Sequence, residues 1–305
     1  MEFLADYARV TFAGIDKIFE IPAVAFQFTL PFAGGTEVSI RWYGIIIAFG
    51  YTLAALFGGR IAYTWKMSLS VMVDVLIYGT FGGILGARMF YVIFQWDYYA
   101  AHPAEIFQLW EGGLAIYGGI IGGFIAAYIT CKVEKLSFIK LLDIAGMSLL
   151  IGQSIGRWGN FMNQEAFGTN TTLPWGMSSN KVVDYIVRNQ AFFEEHNIKM
   201  DPSIPVHPTF LYESLWCALG FVILYIMLKK YRKFDGQLFL SYGIWYAIGR
   251  SFIEGLRTDS LYIGPIRISQ LISILVVVAF AAALVSFSVK YVKEQKKSAL
   301  ITGKE

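Results

Sequence analysis

Seven apolar segments, each long enough to cross about 30 Å of hydrocarbon as a helix, constrain this 305-residue chain more than any other feature. They lie near 42–63, 71–95, 114–131, 138–156, 209–228, 237–256 and 268–289. The length alone would allow about two soluble domains at roughly 150 residues each. Composition argues against that. Charged residues are 15% of the chain, against about 25% in soluble domains, and mean hydropathy is +0.53. The formal net charge of +3 is too small to imply a polyanion, so nucleic acid is not an expected partner. The 17% aromatic content suits a protein with two membrane interfaces to anchor. No alternating pattern of about ten residues recurs, which disfavours a β-barrel. The expected fold class is all-α. It is a polytopic membrane protein with seven transmembrane helices, a small extracytoplasmic head and an N-terminal interfacial arm.

Positive charge sets the expected orientation. Arg60 and Lys66 follow the first span, Lys132, Lys135 and Lys140 the third, and Lys229, Lys230, Arg232 and Lys233 the fifth. Lys290, Lys293, Lys296, Lys297 and Lys304 follow the seventh. The connection 96–113 has no Lys or Arg and instead holds Asp97, Glu105 and Glu111. The N-terminus is therefore expected outside and the C-terminus in the cytoplasm. The chain divides into an interfacial segment 1–41, helices 1–4 over 42–156, a head insertion 157–208, helices 5–7 over 209–289, and a basic cytoplasmic tail 290–305. Residues 22–40 are expected along the outer interface. Glu2 and Asp6, with no basic stretch leading into an apolar run, predict no cleaved signal peptide. Cys131 and Cys217 lie in apolar stretches and read as small buried hydrophobes.

Charge inside a membrane span is costly and marks function by default. Tyr246, Arg250, Glu254 and Arg257 are spaced four, four and three, so they share one helix face. A structural Arg250–Glu254 pair would need only two of them. With the expected orientation, Arg157, Tyr117, Tyr43, His207, Tyr212 and Glu213 fall at the same outer-leaflet depth. Guanidinium groups there suit a phosphate, and a phospholipid head group is the abundant anion at that depth. Arg88 stays open between this site and a structural role. Asp74 and Asp143, toward the cytoplasmic ends, read as structural. Gly79, Gly82, Gly83 and Gly86 on the second span, with Gly118, Gly119, Gly122 and Gly123 on the third, signal either close helix packing or room for a lipid tail. No metal or other cofactor is expected, because His102, His196 and His207 have no ligand-like spacing. No phosphate loop or G-x-S-x-G elbow is present.

Residues 156–168 read Gly-Arg-Trp-Gly-Asn-Phe-Met-Asn-Gln-Glu-Ala-Phe-Gly. This segment closely resembles the signature of the bacterial prolipoprotein diacylglyceryl transferase family. Residues 207–213, His-Pro-Thr-Phe-Leu-Tyr-Glu, residues 249–257, Gly-Arg-Ser-Phe-Ile-Glu-Gly-Leu-Arg, and Trp42-Tyr43-Gly44 are similar to further family segments. The resemblance covers nearly the whole chain. It implies a multi-pass enzyme of the bacterial cytoplasmic membrane. The enzyme moves the diacylglyceryl group of phosphatidylglycerol to the lipobox cysteine of a prolipoprotein and releases glycerol phosphate. Its implied partners are phosphatidylglycerol, lipobox segments and membrane lipid. The resemblance makes Arg157 and Arg250 essential at the lipid phosphate, with Asn160, Glu165, Tyr246 and Glu254 as the shell that orients them. Tyr43, Asn163, Gly168, Glu213 and Arg257 complete the expected substrate site.

One position departs from the pattern. Where many relatives carry His before a Gly-Gly in the third helix, this chain has Tyr117. A phenol has a reference pKa near 10, against about 6.5 for imidazole. Either neighbouring arginines lower it, or the hydroxyl only donates a hydrogen bond, or another group takes the thiol proton. The rival class is a phospholipid-binding transporter or flippase, which calls for midplane substrate groups and repeated halves. An intramembrane protease would require nucleophile or metal sets that the sequence lacks.

Overall fold

The computed structural model describes residues 7–30, 36–263 and 266–302. Expectations for 1–6, 31–35, 264–265 and 303–305, including Glu2, Asp6 and Lys304, lie outside the described residues. The protein is mostly helical. Six helices are long and apolar enough to cross a membrane: α1 (Trp42–Thr64), α2 (Leu69–Phe94), α4 (Ile116–Val133), α5 (Phe138–Asn163), α8 (Thr209–Lys230) and α10, of which Ile268–Ser298 qualifies. Of the most apolar stretch of each, no more than 33% is buried within the protein. Leu56, Phe81 and Leu275 are among the many large apolar side chains left exposed. Surfaces of that kind need an apolar surrounding, which a bilayer supplies. α9 (Gln237–Glu254) is 18 residues long but less apolar than the most apolar stretches of these six, with Gln237 at its start and Arg250 and Glu254 in its last turns.

Two boundaries and the expected all-α class differ from the sequence reading. α5 runs on to Asn163, so Arg157, Asn160 and Asn163 stand on its last turns rather than opening the head. The helix ends where Gln164 and Ala166 take left-handed backbone, at φ 58° and 57°. α10 (Ile268–Thr302) continues as helix through most of the basic tail. The N-terminal stretch is not helical. β1 (Tyr7–Phe12) and β2 (Ile15–Pro22) form a hairpin, and β3 (Val24–Leu30) pairs with β4 (Thr36–Arg41). β4 then runs directly into α1.

The chain divides into two compact units, 1–54 with 146–305, and 55–145. In the first, β5 (Met177–Ser179) joins the hairpin in the order β2-β1-β5. Thus β1, from the expected interfacial arm, is the central strand of a sheet shared with the 157–208 insertion. Its Ala8 and Val10 are fully buried while Tyr7 is exposed, the alternation a one-sided strand requires. They pack with Phe167, Met177, Val182, Ile186, Phe193 and Val206 in one apolar core. α6 (Asn180–Arg188) starts at Ser179, whose hydroxyl accepts from Val182 N at 3.2 Å. It buries Val182 and Ile186, one turn apart. α7 (Gln190–Glu195) adds Phe193. Two-residue strands β6 (Tyr262–Ile263) and β7 (Ile266–Arg267) precede α10.

In the second unit, α2 and α4 meet backbone to backbone. A Cβ added at Gly82 would lie 2.5 Å from the Ala126 Cβ, and one at Gly86 or Gly122 would overlap the facing helix backbone. Close packing therefore uses these glycines and leaves no room between the two helices for a lipid tail. Arg88, open in the sequence, is 6% exposed and serves as an anchor. It donates to the carbonyls of Ile106 (2.8 Å), Gly112 (2.8 Å), Gly113 (3.1 Å), Glu105 (2.5 Å) and Gln108 (3.4 Å). It also lies over the Tyr99 ring, 5.2 Å from its centroid. The segment it holds contains α3 (Trp96–Ala101) and two short 3₁₀ turns. One side chain thus ties together carbonyls of a segment whose own backbone bonds are few, Gln108 N to Glu105 O at 3.0 Å among them. Arg88→Met should lower stability by at least about 3 kcal/mol, because charge-assisted bonds are lost and their acceptors stranded. Thermal melting in detergent checks the loss, and faster proteolysis within 96–113 checks its location.

Candidate active site

The charged site of the larger unit is assembled by three helices and the segments that tie their ends together. α5 supplies Arg157 and Asn160, α8 supplies Glu213 on its second turn, and α9 supplies Tyr246, Arg250 and Glu254. Gly168 N donates to His207 O at 2.9 Å, and Thr169 N donates to Leu256 O at 2.8 Å. Gly168 and Arg257 form a β-bridge. A Cβ on Gly168 would come within 2.8 Å of the His207 Cβ and 3.1 Å of Leu256 O. Glycine is needed there so that three backbones can meet, which fixes the ends of α5, α8 and α9 against one another.

Glu213 is the centre. Its side chain is 4% exposed, yet three guanidinium groups reach it. Arg157 pairs with Oε2, while Arg250 and Arg257 approach Oε1 at 3.0 and 3.4 Å. Two of the arginines also hold a second acid. Arg250 lies 2.5 Å from Glu254, four residues on, and Arg257 makes a two-pronged pair with Asp259 at 2.9 and 2.7 Å. Arg267 donates to the Glu254 backbone carbonyl. Arg157 reaches Asn160 Oδ1 at 3.4 Å, and the Asn160 amide donates to Glu165 at 2.8 Å. The Arg157 and Arg250 side chains remain 20% and 19% exposed, so an arriving anion can reach both.

The Tyr43 ring packs on Gly159, where a Cβ would be 2.8 Å from Cδ2, and it senses the charges of Glu165 and Arg157. Tyr246 is half-buried, on the same helix and face as Arg250. Beside the cluster, the Trp175 indole donates to the Tyr212 oxygen at 2.8 Å, and Tyr212 lies 3.1 Å from His207 Nδ1. The Tyr212 proton can then go to Nδ1, which puts the imidazole proton on Nε2. Burial holds His207 below the usual histidine range and so favours this neutral form.

The structure therefore brings together Tyr43, Arg157, Asn160, Glu165, Glu213, Tyr246, Arg250, Glu254 and Arg257. Asn163 stands apart, with a buried Oδ1 that has no hydrogen-bond partner, and Gly168 is a packing position. Tyr117 belongs to the other unit, as the second residue of α4, and is 40% exposed. Sequence reasoning missed Asp259 and Arg267, which follow α9 in a segment with no periodicity to place them. It also missed the central position of Glu213, since spacing along one helix cannot reveal a convergence of three.

The family model for prolipoprotein diacylglyceryl transferase matches residues 31–286. This chain belongs to the prolipoprotein diacylglyceryl transferase family. Curated relatives named phosphatidylglycerol–prolipoprotein diacylglyceryl transferase include one from Finegoldia magna, 42% identical over 260 residues, covering 85% of this chain and 96% of the relative. One from Listeria welshimeri is 46% identical over 242 residues, covering 79% and 83%. One from Staphylococcus aureus is 42% identical over 255 residues, covering 83% and 87%. For a diacylglyceryl transferase, the arrangement explains how adjacent arginines stay in place before any anion binds, because the buried Glu213 offsets their mutual repulsion. Truncating one member of a buried ion network costs about 3–5 kcal/mol. Glu213→Gln should accordingly destabilise the protein by about 3 kcal/mol. Asp184→Asn, which breaks only the exposed Asp184–Arg188 pair, should cost under about 1 kcal/mol. Parallel thermal melts in detergent compare the two.

Proposed function

We propose that this chain transfers the diacylglyceryl group of phosphatidylglycerol to the cysteine thiol of a prolipoprotein. Family membership carries the reaction. The convergence of Arg157, Arg250 and Arg257 on Glu213 carries the assignment of the phosphate subsite. The relatives give no support to a transporter or flippase.

In the reaction, sulfur attacks the glycerol carbon that bears the phosphate ester. A C–S bond forms, the C–O bond to phosphate breaks, and glycerol phosphate leaves. The thiol proton is released, ending on the leaving phosphate or on water. A thiolate is the stronger nucleophile. Negative charge grows on the departing phosphate, and Arg157 and Arg250 are assigned to stabilise it. Asn160, itself held by Glu165, orients Arg157, Glu254 holds Arg250, Asp259 holds Arg257, and Tyr43 and Tyr246 are assigned to the surrounding substrate shell. Tyr117 is assigned a hydrogen-bond donor role near the reacting thiol or lipid. Asn163 and Gly168 act by shaping the end of α5.

The phosphate assignment implies a site open to the outer leaflet. α9 is taken as a seventh span, since 18 residues reach about 27 Å at 1.5 Å per residue. The expected sidedness is retained: N-terminus outside, C-terminus cytoplasmic, and residues 157–208 with the N-terminal strands as an extracytoplasmic head on a bacterial cytoplasmic-membrane protein. The lack of Lys and Arg in 96–113 supports it. Cysteines introduced by Gln108→Cys and Asn189→Cys should react with an impermeant thiol reagent in intact cells, and one introduced by Gln295→Cys should not. The reverse pattern would overturn the orientation.

Purified enzyme, phosphatidylglycerol and a lipobox peptide should yield a diacylglyceryl thioether and glycerol phosphate in equal amounts. Arg157→Lys and Arg250→Lys keep the charge but lose the planar fork. Each should lower kcat/KM by about 100-fold or more. Tyr117→Phe should lower it by about 10- to 1,000-fold. Folded arginine variants with full activity would remove the phosphate role, and an unaffected Phe variant would show that the hydroxyl is dispensable.

A further inference from the structure

A groove of about 520 Å³ lies in the larger unit beside the arginine cluster. Five consecutive residues of β2, Lys17, Ile18, Phe19, Glu20 and Ile21, line one side together with Phe12 of β1, whose ring packs edge-on against Phe19. Successive strand residues point to opposite faces, so a wall built from five in a row follows the strand's edge. That edge is open. β1 covers the inner side of β2, and no described strand pairs with the outer side. The other wall is apolar and includes Trp158, Phe161 and Phe210. Their rings pack on one another at centroid distances of 4.6–6.0 Å, which makes this wall rigid. The same wall adjoins the charged site, since Phe161 follows Arg157 by four residues on α5 and Phe210 precedes Glu213 by three on α8, about one helical turn in each case.

The geometry points to this groove as the seat of the protein substrate, an extended apolar stretch of the prolipoprotein next to its acceptor cysteine, added as a fourth strand along β2. The inference rests on the transfer reaction proposed above and names the subsite for its second substrate. A polypeptide fits better than an acyl chain. An open strand edge presents N–H and C=O groups that another backbone satisfies and hydrocarbon leaves unpaired. An added strand would turn alternate side chains toward the aromatic wall. The hairpin lies before residue 31, where the family match begins, so this wall of the groove comes from outside the matched region.

The test uses the full-length enzyme in detergent, with phosphatidylglycerol and a synthetic prolipoprotein peptide carrying the acceptor cysteine. Ile18 is 62% exposed, so Ile18→Asp should fold, with an unchanged melting temperature as the check. It should raise the peptide KM by about 10- to 100-fold, the equivalent of losing one buried apolar side chain. The KM for phosphatidylglycerol and kcat should not move. A rise in the lipid KM alone would give the groove to an acyl chain, and no change in either would exclude it as a substrate site. Independently of any variant, the peptide can be N-methylated at alternate residues and offered to wild-type enzyme. One of the two methylation phases should weaken use about tenfold or more and the other should not, and equal behaviour of both phases would overturn strand addition. Ile18→p-benzoylphenylalanine should photocrosslink to the peptide without turnover. A crosslink without thioether product would sink the transfer reading and keep the groove, whereas product without a crosslink would do the opposite.

Discussion

A buried carboxylate between three guanidinium groups is the interaction that holds the larger unit's charged cluster together. Glu213 sits on one helix, and its partners come from a second helix, a third, and the segment after it. No pair of these elements could hold the arrangement alone. Burial of a charge is tolerated only with good partners, so the network also dictates how the ends of α5, α8 and α9 must meet. The Gly168 crossing is the backbone counterpart of that requirement, since any side chain there would push the three segments apart.

The network also bears on how an anion would bind. Each arginine already has an acidic partner, so a phosphate would not enter an empty cationic hole. It would enter beside groups whose orientation is already fixed, which avoids reorganisation at the moment the leaving group gains charge. The partial exposure of Arg157 and Arg250 is compatible with that entry. Their partners Glu213 and Glu254 are almost fully buried.

Much of this was legible in the sequence, for identifiable reasons. Long apolar runs specify membrane helices because lipid leaves no alternative for the backbone, and the helices begin within a few residues of the expected positions. Tyr246, Arg250 and Glu254 could be placed on one face because helical spacing is regular. The strands at 7–22 and 177–179 were not legible. β1 alternates as a half-buried strand should, but over only six residues, and its partners come from 15–22 and from 177–179. The first pairing is a tight hairpin that the sequence reading overlooked, and the second, so far along the chain, leaves no local trace. Arg88 was ambiguous for a similar reason, because its partners are backbone carbonyls, which look the same in any sequence. The continuation of α5 past Arg157 was hidden by the polar residues of its last turns, which suggested a head where there is still helix.

The backbone seam between α2 and α4 has a consequence for how this protein can diversify. Where two helices touch through glycine, there is no side chain to trade for another, so compensating exchanges cannot occur along that line. The outward faces of the same helices, with Phe81, Ile84 and Met89 exposed on α2 and Ile121, Ile125 and Ile129 on α4, meet no such restriction. A bacterium that changes the thickness or fluidity of its membrane could therefore retune the outward surface of this helix pair residue by residue, while the inner line stays the same.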